Sequence, residues 1–136
     1  MFADLAAALG YILSPAPFLW VLLGTGLGIF VGAVPGLTGG MLIALTMPLT
    51  FFMNSTHALV LMVAMYVGSV SGGLISATLL RMPGTPSSVM TTFDGYPMAQ
   101  RGEAEKALAL SIGASLIGGM IAGLFLVVLS QPLSRW

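Results

Sequence analysis

Apolar residues dominate the chain in long runs, and short clusters of Pro, Gly, Ser and Thr separate these runs. No Asp, Glu, Lys or Arg occurs between Leu5 and Leu80. A helix that crosses a bilayer needs about 20 predominantly apolar residues, and the runs 18–34, 57–80 and 107–130 approach or exceed this length. We therefore predict an all-α integral membrane protein with about four apolar helical segments, of which these three are the long ones.

The remaining apolar stretches are too short to span. Residues 2–13 predict an interfacial helix that ends at the Ser-Pro-Ala-Pro sequence 14–17. Residues 41–53 contain Pro48 and predict a half-helix that follows an unwound turn. The Asn-Ser-Thr sequence 54–56 supplies N-cap candidates for the long helix after it.

Glycines recur every four residues in the first half of the chain. This spacing places them on one face of a helix, where a neighbouring backbone can approach closely, and a packing seam is the simplest interpretation. Pro35 and Gly36 interrupt the series, because proline removes a backbone donor and clashes with the preceding turn. The series comprises Gly24, Gly28, Gly32, Gly36 and Gly40, and shorter pairs with the same spacing are Gly68 with Gly72 and Gly119 with Gly123.

Two Gly- and Pro-rich segments, 35–40 and 83–97, predict broken or re-entrant regions between the apolar helices. Irregular backbone at membrane depth is tolerated where it is buried in protein or lines a cavity. We therefore expect the function to reside in these two breaks.

The second break has the composition of an anion site. Thr85 is a good N-cap, Pro86 suits the first helical position, and two serines would follow in the first turn. A helix start offers unpaired N–H groups and a partial positive charge, so a carboxylate could dock there; an ordinary loop with a capped helix is the alternative. The candidate solute-binding residues are Gly84, Thr85, Ser87, Ser88, Thr91 and Thr92.

The first break favours a small cation, because unwound backbone exposes carbonyl oxygens beside the Thr38 hydroxyl; a plain hinge is the alternative. Asp94 is the only acid between Asp4 and Glu103. It either forms an Asp-Gly turn or takes part in proton or cation coupling. The candidate ion-binding or hinge residues are Pro35, Gly36, Thr38, Gly39, Gly40 and Asp94.

Composition narrows the function classes. The chain has 136 residues, of which 57% are hydrophobic and 6% are charged, with a mean hydropathy of +1.05. About a quarter of a soluble domain is charged, so this chain could not cover a soluble surface. The net charge is zero without a basic patch, which argues against nucleic acid as a partner. There is no cysteine, and His57 is the single histidine, so we expect neither thiolate catalysis nor a metal site.

An enzyme is not expected. The chain lacks a Gly-x-Ser-x-Gly nucleophile elbow, and an aspartyl site would need a second acid near Asp94. We therefore predict no catalytic residues.

Orientation is weakly specified by four cations, Arg81, Arg101, Lys106 and Arg135. Three of them lie near the second break and favour the cytoplasm for its ends. Arg81 either anchors a span at the interface or pairs with an anionic solute. The start of the chain lacks the basic region of a signal peptide, so the first spans are expected to be retained. The chain stops directly after the last predicted span, at 134–136, so we expect residues 1–136 to be a piece of a longer protein.

Three motifs together resemble the TctA family, the large membrane subunits of tripartite tricarboxylate transporters. They are Gly-x-x-x-Gly-x-x-Pro-Gly-Leu-Thr-Gly-Gly at 28–40, Tyr-x-Gly-x-x-x-Gly-Gly at 66–73, and Pro-Gly-Thr-Pro-Ser-Ser-Val-x-Thr-Thr-Phe-Asp-Gly-Tyr-Pro-Met-Ala at 83–99. The resemblance extends from about residue 24 to 132 and covers the N-terminal portion of the longer, two-halved family members.

The resemblance implies secondary transport of organic anions, often di- or tricarboxylates, across the bacterial inner membrane. It further implies a periplasmic substrate-binding protein, a small membrane subunit, and an ion gradient as the driving force, with Na⁺ or H⁺ as coupling cation and no other cofactor. From these expectations we predict alternating access, with a carboxylate at Thr85, Ser87 and Ser88 and a cation near Thr38 and Asp94. A non-transporting membrane scaffold and an ion channel remain as alternatives.

Overall fold

The computed structural model describes residues 2–133 and consists of helices and their connections over this range. In chain order these helices are α1 (Phe2–Ile12), α2 (Pro15–Gly32), α3 (Gly39–Thr50), α4 (Ser55–Leu80), α5 (Thr91–Gln100) and α6 (Ala104–Leu133), with one 3₁₀ turn at Pro86–Ser88. Within the described range α2, α4 and residues Ala104–Leu129 of α6 are long and apolar enough to cross a membrane, and α3 is a shorter apolar helix. The predicted all-α membrane fold is confirmed. Arg135, which entered the orientation argument, lies outside the described residues.

Helix boundaries differ from the predicted ones mainly at proline and glycine. Helix α1 ends at Ile12, just before the segment 14–17 as predicted, but α2 already begins at Pro15 within that segment. Proline is tolerated in a first turn, where its missing N–H would have no partner. The Ser14 hydroxyl donates to the Tyr11 carbonyl at 2.6 Å and links α1 to α2. Asn54 occupies the N-cap position of α4 as expected, without a hydrogen bond from its side chain to the helix.

The centre of the fold is the pair α2 and α4, packed through glycines. An ideal Cβ at Gly24 would lie 2.8 Å from the Ala64 Cβ, and one at Gly28 would lie 2.8 Å from the Ser69 nitrogen. Side chains cannot occupy this seam, so the two backbones are in direct contact. The predicted packing seam is therefore confirmed for the α2 glycines, with Gly68 and Gly72 on the α4 side.

Helix α4 is the most enclosed span. Half of its most apolar 18-residue stretch is buried within the chain, whereas none of the corresponding stretch of α6 is buried. The core consists of Leu42, Leu61 and Met65, with Trp20, Val31 and Met53 packed against it. Because α4 contributes to contacts with α2, α3, α5 and α6, its polar positions lie where the other elements meet.

The two predicted breaks are present. After α2 the chain leaves the helix at Ala33, and Gly36 adopts a φ of +92°, in the region that favours glycine. After α4 the chain turns at Arg81, whose φ is 56°. The second break is shorter than expected, since residues 91–100 are helical. The Asp-Gly turn proposed for Asp94 is wrong, because this residue lies in the first turn of α5.

Candidate functional site

The two breaks lie together against α4 and enclose a common cavity. We call it the inter-break cavity. It has a volume of about 260 Å³ and is lined by Thr38, Gly39, Gly40, Tyr66, Ser69, Val70, Thr85, Pro86 and Ser87. These residues come from segments up to about fifty positions apart in the sequence, so tertiary packing rather than local spacing assembles them. None of the lining residues is charged, and the polar groups are hydroxyls and backbone amides.

The start of α3 forms one wall of the inter-break cavity. Thr38 caps this helix, and its Oγ1 accepts a hydrogen bond from the Met41 N–H at 3.3 Å. The N–H groups of Gly39 and Gly40 have no acceptor among the described residues. A Cβ at Gly40 would meet only the Thr38 Oγ1, at 3.8 Å, so this backbone is accessible. The wall therefore presents unpaired donors at the positive end of a 12-residue helix.

The opposite wall is the 3₁₀ turn that begins after Thr85. The Ser88 hydroxyl donates to the Thr85 carbonyl at 2.8 Å and accepts from the Thr85 N–H at 3.2 Å. Ser88 is fully buried, so it fixes the turn and does not line the cavity. The Thr85 Oγ1 and Ser87 Oγ are 3.0 Å apart, and either can donate to the other. These are the two side-chain hydroxyls of this wall that border the cavity.

Thr85 caps the helical turn that follows it and Pro86 lies in the first helical positions, as predicted, but the expected helix is only a short 3₁₀ turn. The turn spans three residues and α5 starts only at Thr91, so the helix-dipole argument does not apply to Ser87 and Ser88. The positive helix end at the cavity belongs instead to α3. The first break, to which the sequence analysis assigned a cation, therefore contributes N–H donors that suit an anion.

Three further candidate residues lie outside the inter-break cavity. Gly84 allows close packing, since a Cβ there would lie 2.5 Å from the Gly32 carbonyl oxygen and 3.0 Å from the Gly73 Cα. The Thr92 hydroxyl donates to the Val89 carbonyl at 2.6 Å and is buried. Gly36 turns the chain into α3 after Pro35. None of these residues lines the inter-break cavity.

Tyr66 and Ser69 line the cavity although sequence reasoning did not select them as site residues. Ser69 is fully buried, and its hydroxyl donates to the Tyr66 carbonyl at 2.8 Å. A Cβ at Gly39 would collide with the Ser69 side chain, so α3 and α4 touch at this point. The cluster of small residues around the Gly68–Gly72 pair on α4 was the available signal, but that pair was interpreted as packing alone.

A second and larger cavity lies beside α5 and α6. We call it the α5–α6 cleft. Its volume is about 480 Å³, and its lining includes Ser87, Thr91, Asp94, Ser111 and Ser115. Asp94 therefore faces a different cavity from Thr38, and the structure does not bring together the two residues that were expected to share a cation. Ser87 lines both cavities.

The remaining charged and aromatic candidates lie apart from both cavities. The guanidinium of Arg81 lies 5.7 Å from the centroid of the Tyr96 ring, and Arg81 lines neither cavity. The His57 ring stacks on Tyr11 at a centroid distance of 6.5 Å and lies 6.4 Å from Trp20. Among the described residues no group of three or more His, Cys, Asp or Glu side chains could hold a metal ion.

Comparison with known proteins gives one family and one relative of note. Residues 18–136 match the family described as "Tripartite tricarboxylate transporter TctA family". A protein of Agrobacterium vitis, described as an uncharacterized 52.8 kDa protein in the TAR-I ttuC' 3' region, is 34% identical over 134 residues. That alignment covers 98% of this chain and 27% of the relative, so the chain spans about a quarter of the relative's length. No solved structure matches.

Proposed function

Because this chain belongs to the tripartite tricarboxylate transporter TctA family, we propose that it forms the N-terminal part of a large transporter subunit that carries organic anions across the bacterial inner membrane. The family is one of membrane transporters, and the three apolar helices fit that class. A di- or tricarboxylate is the solute we propose, with a periplasmic substrate-binding protein and a small membrane subunit as partners. An ion gradient of Na⁺ or H⁺ drives uptake.

The inter-break cavity is the observation that carries the proposal. Its donors are the free N–H groups at the start of α3 and the hydroxyls of Thr85 and Ser87. A broken helix whose N-terminal end faces a cavity is the arrangement by which transporters hold the carboxylate of a solute. A volume of about 260 Å³ lies below the usual range for drug-sized ligands and suits a small anion.

The uncharged lining of the inter-break cavity suits a site that must release its solute. A lysine or arginine would form a strong charge-assisted pair with a carboxylate and slow its release. Neutral donors bind a carboxylate more weakly, so the solute can dissociate once the cavity opens to the other side of the membrane. Alternating access then requires one group of helices to move, and the close-packed α2–α4 pair provides a rigid unit against which α3 and α5 can shift.

Replacement of the two hydroxyls on the wall formed by the 3₁₀ turn tests the proposal. We expect Thr85→Val combined with Ser87→Ala to lower solute affinity about 10- to 100-fold, because a hydrogen bond to a charged group contributes about 1.5–3 kcal/mol. Thr85→Val keeps the shape of the side chain, and both backbone bonds to Ser88 remain. Uptake of radiolabelled carboxylates by the complete complex in proteoliposomes measures the effect.

Ser71→Ala is the matched control, since its hydroxyl donates to the Val67 carbonyl of its own helix at 3.2 Å and lines neither the inter-break cavity nor the α5–α6 cleft. Normal uptake by the double variant in an assembled complex would contradict the proposal. It would favour the alternative in which this part of the chain is a scaffold that does not contact the solute. Flux that needs no binding protein and no ion gradient would favour a channel.

A further inference from the structure

The inter-break cavity has a third side, formed by α4, with a hydrogen-bond donor of its own. Tyr66, Ser69 and Val70 line this side. Val70 is apolar, and the Ser69 hydroxyl already donates its single proton to the Tyr66 carbonyl at 2.8 Å. The phenol of Tyr66 makes no hydrogen bond among the described residues. It is therefore the free side-chain donor on the α4 side of the cavity.

Tyr66 lies too deep in the span to serve as a membrane anchor. It is about 17 Å from the start and about 21 Å from the end of α4, at a rise of about 1.5 Å per residue. The hydrocarbon core of a bilayer is about 30 Å thick, so this position is near its middle, whereas anchoring tyrosines lie at the membrane–water boundary. A hydroxyl without a partner at this depth costs free energy, and the inter-break cavity is where a partner can reach it.

The Tyr66 ring lies beside the start of α3, and its hydroxyl lies further away. A Cβ at Gly39 would be 3.8 Å from the Tyr66 Cδ2, which is the nearest atom of the ring. The hydroxyl is bonded to the opposite end of the ring. More than half of the residue, 56%, is exposed, so a solute can reach it. The cavity thus offers two separate sets of donors, one shared by the α3 start and the 3₁₀ turn and the other supplied by the phenol of Tyr66.

We propose that Tyr66 selects solutes with more than one carboxylate by binding the second of them. One carboxylate binds at the start of α3, and the Tyr66 hydroxyl donates to the other. A monocarboxylate leaves this hydroxyl unpaired, and a site built to hydrogen-bond a group discriminates strongly against analogues that lack it. This inference rests on the proposed function, since it assigns a specificity-determining residue to the same cavity.

Tyr66→Phe tests the assignment, because it removes the hydroxyl and keeps the ring. The backbone carbonyl that accepts from Ser69 remains, and the lost hydroxyl has no protein partner among the described residues, so assembly should persist. The probes are pairs of acids that share a chain length and differ in the second carboxylate: malonate and propionate, succinate and butyrate, glutarate and valerate. Citrate serves as the tricarboxylate.

Equilibrium binding of these acids to the purified complete complex measures the effect. We expect Tyr66→Phe to lower the affinity for the dicarboxylates and for citrate about 10- to 100-fold, because a hydrogen bond to a charged group is lost. The affinity for the monocarboxylates should stay the same. Tyr11→Phe is the matched control, since it removes the same kind of hydroxyl from α1, where Tyr11 stacks on His57 and does not line the cavity. It should change neither affinity.

Three results would overturn the inference while leaving the proposed function intact. The first is an unchanged dicarboxylate and citrate affinity in Tyr66→Phe. The second is an equal loss for both members of each pair, which would show that Tyr66 shapes the cavity without selecting the solute. The third is an unaltered complex that binds monocarboxylates as tightly as their dicarboxylate counterparts. A complex that binds none of these acids would instead overturn the proposed function and this inference with it.

Discussion

At the scale of single residues, the sequence predicted that the second break borders a cavity, but it did not predict which of its side chains line that cavity. Thr85 and Ser87 border the cavity, whereas Ser88 and Gly84 hold the turn in place. Local spacing identifies a capping pattern because capping is local. It carries no information on which hydroxyl faces a distant segment, so the partner wall at Gly39 could not be predicted.

Gly36 is the residue whose backbone decides where α3 begins. Its φ of +92° lies outside the range that residues with a side chain adopt readily, although no atom stands within 4 Å of a Cβ there. We expect Gly36→Ala to cost about 1–2 kcal/mol and to lower the apparent melting temperature of the purified complex. Gly40→Ala, with an ordinary backbone and one Cβ contact at 3.8 Å, should be neutral or stabilising. Equal stability of the two variants would show that Gly36 is not left-handed.

At the scale of elements, the long apolar runs predicted the three spans, since burial in lipid demands length and hydropathy that are visible in sequence. The short helix α5 was not predicted. Asp94 and Gly95 favour a turn, but tertiary packing overrides this preference, because a Cβ at Gly95 would lie 3.1 Å from the Thr78 Oγ1 on α4. The glycine thus serves close helix packing, and propensity alone is a weak guide in such a place.

The α2–α4 seam gives the sharpest prediction for an element. A Cβ at Gly28 would lie 2.8 Å from the Ser69 nitrogen and 2.9 Å from the Gly68 Cα, and backbone atoms cannot rotate away. We expect Gly28→Ala to destabilise the complex by about 1–3 kcal/mol through overpacking. Gly26→Ala, two residues earlier in the same helix and with nothing within 4 Å, should not destabilise it. Thermal unfolding of both variants in detergent measures the difference, and equal melting temperatures would contradict the seam.

At the scale of the whole molecule, α4 brings the two breaks together. The chain enters the first break from α2 and the second from α4. Gly32 at the end of α2 lies against Ser69 of α4, and Gly84 in the second break packs against Gly32 and Gly73. The sequence predicted both breaks and their glycines, but it did not predict that the two breaks lie next to each other. Whether two irregular segments share a cavity depends on which faces of α4 they occupy. The small residues of α4 indicate a face for close packing, but they do not indicate which segment packs there.

The position of Ser87 between the two cavities leads to a prediction about the whole molecule. Ser87 lines both the inter-break cavity and the α5–α6 cleft, and the proposed function requires that the coupling ion and the solute affect each other's binding. We expect the Ser87 hydroxyl to carry this effect, so its removal should abolish the effect as well as weaken solute binding. Coupling energies of about 1–3 kcal/mol correspond to about 5- to 150-fold changes in affinity. We expect Na⁺ to tighten carboxylate binding within this range in the unaltered complex and to have almost no effect in Ser87→Ala.

Equilibrium binding of a radiolabelled carboxylate to the purified complex, with and without Na⁺, measures this ratio directly. Ser71→Ala, which removes a hydroxyl that lines neither cavity, should keep the full ratio. A Ser87→Ala complex that binds solute more weakly by the same factor in both conditions would show that Ser87 is a solute ligand without a coupling role. Only a change in the ratio itself separates transmission from binding, because a lost contact with the solute lowers both affinities alike.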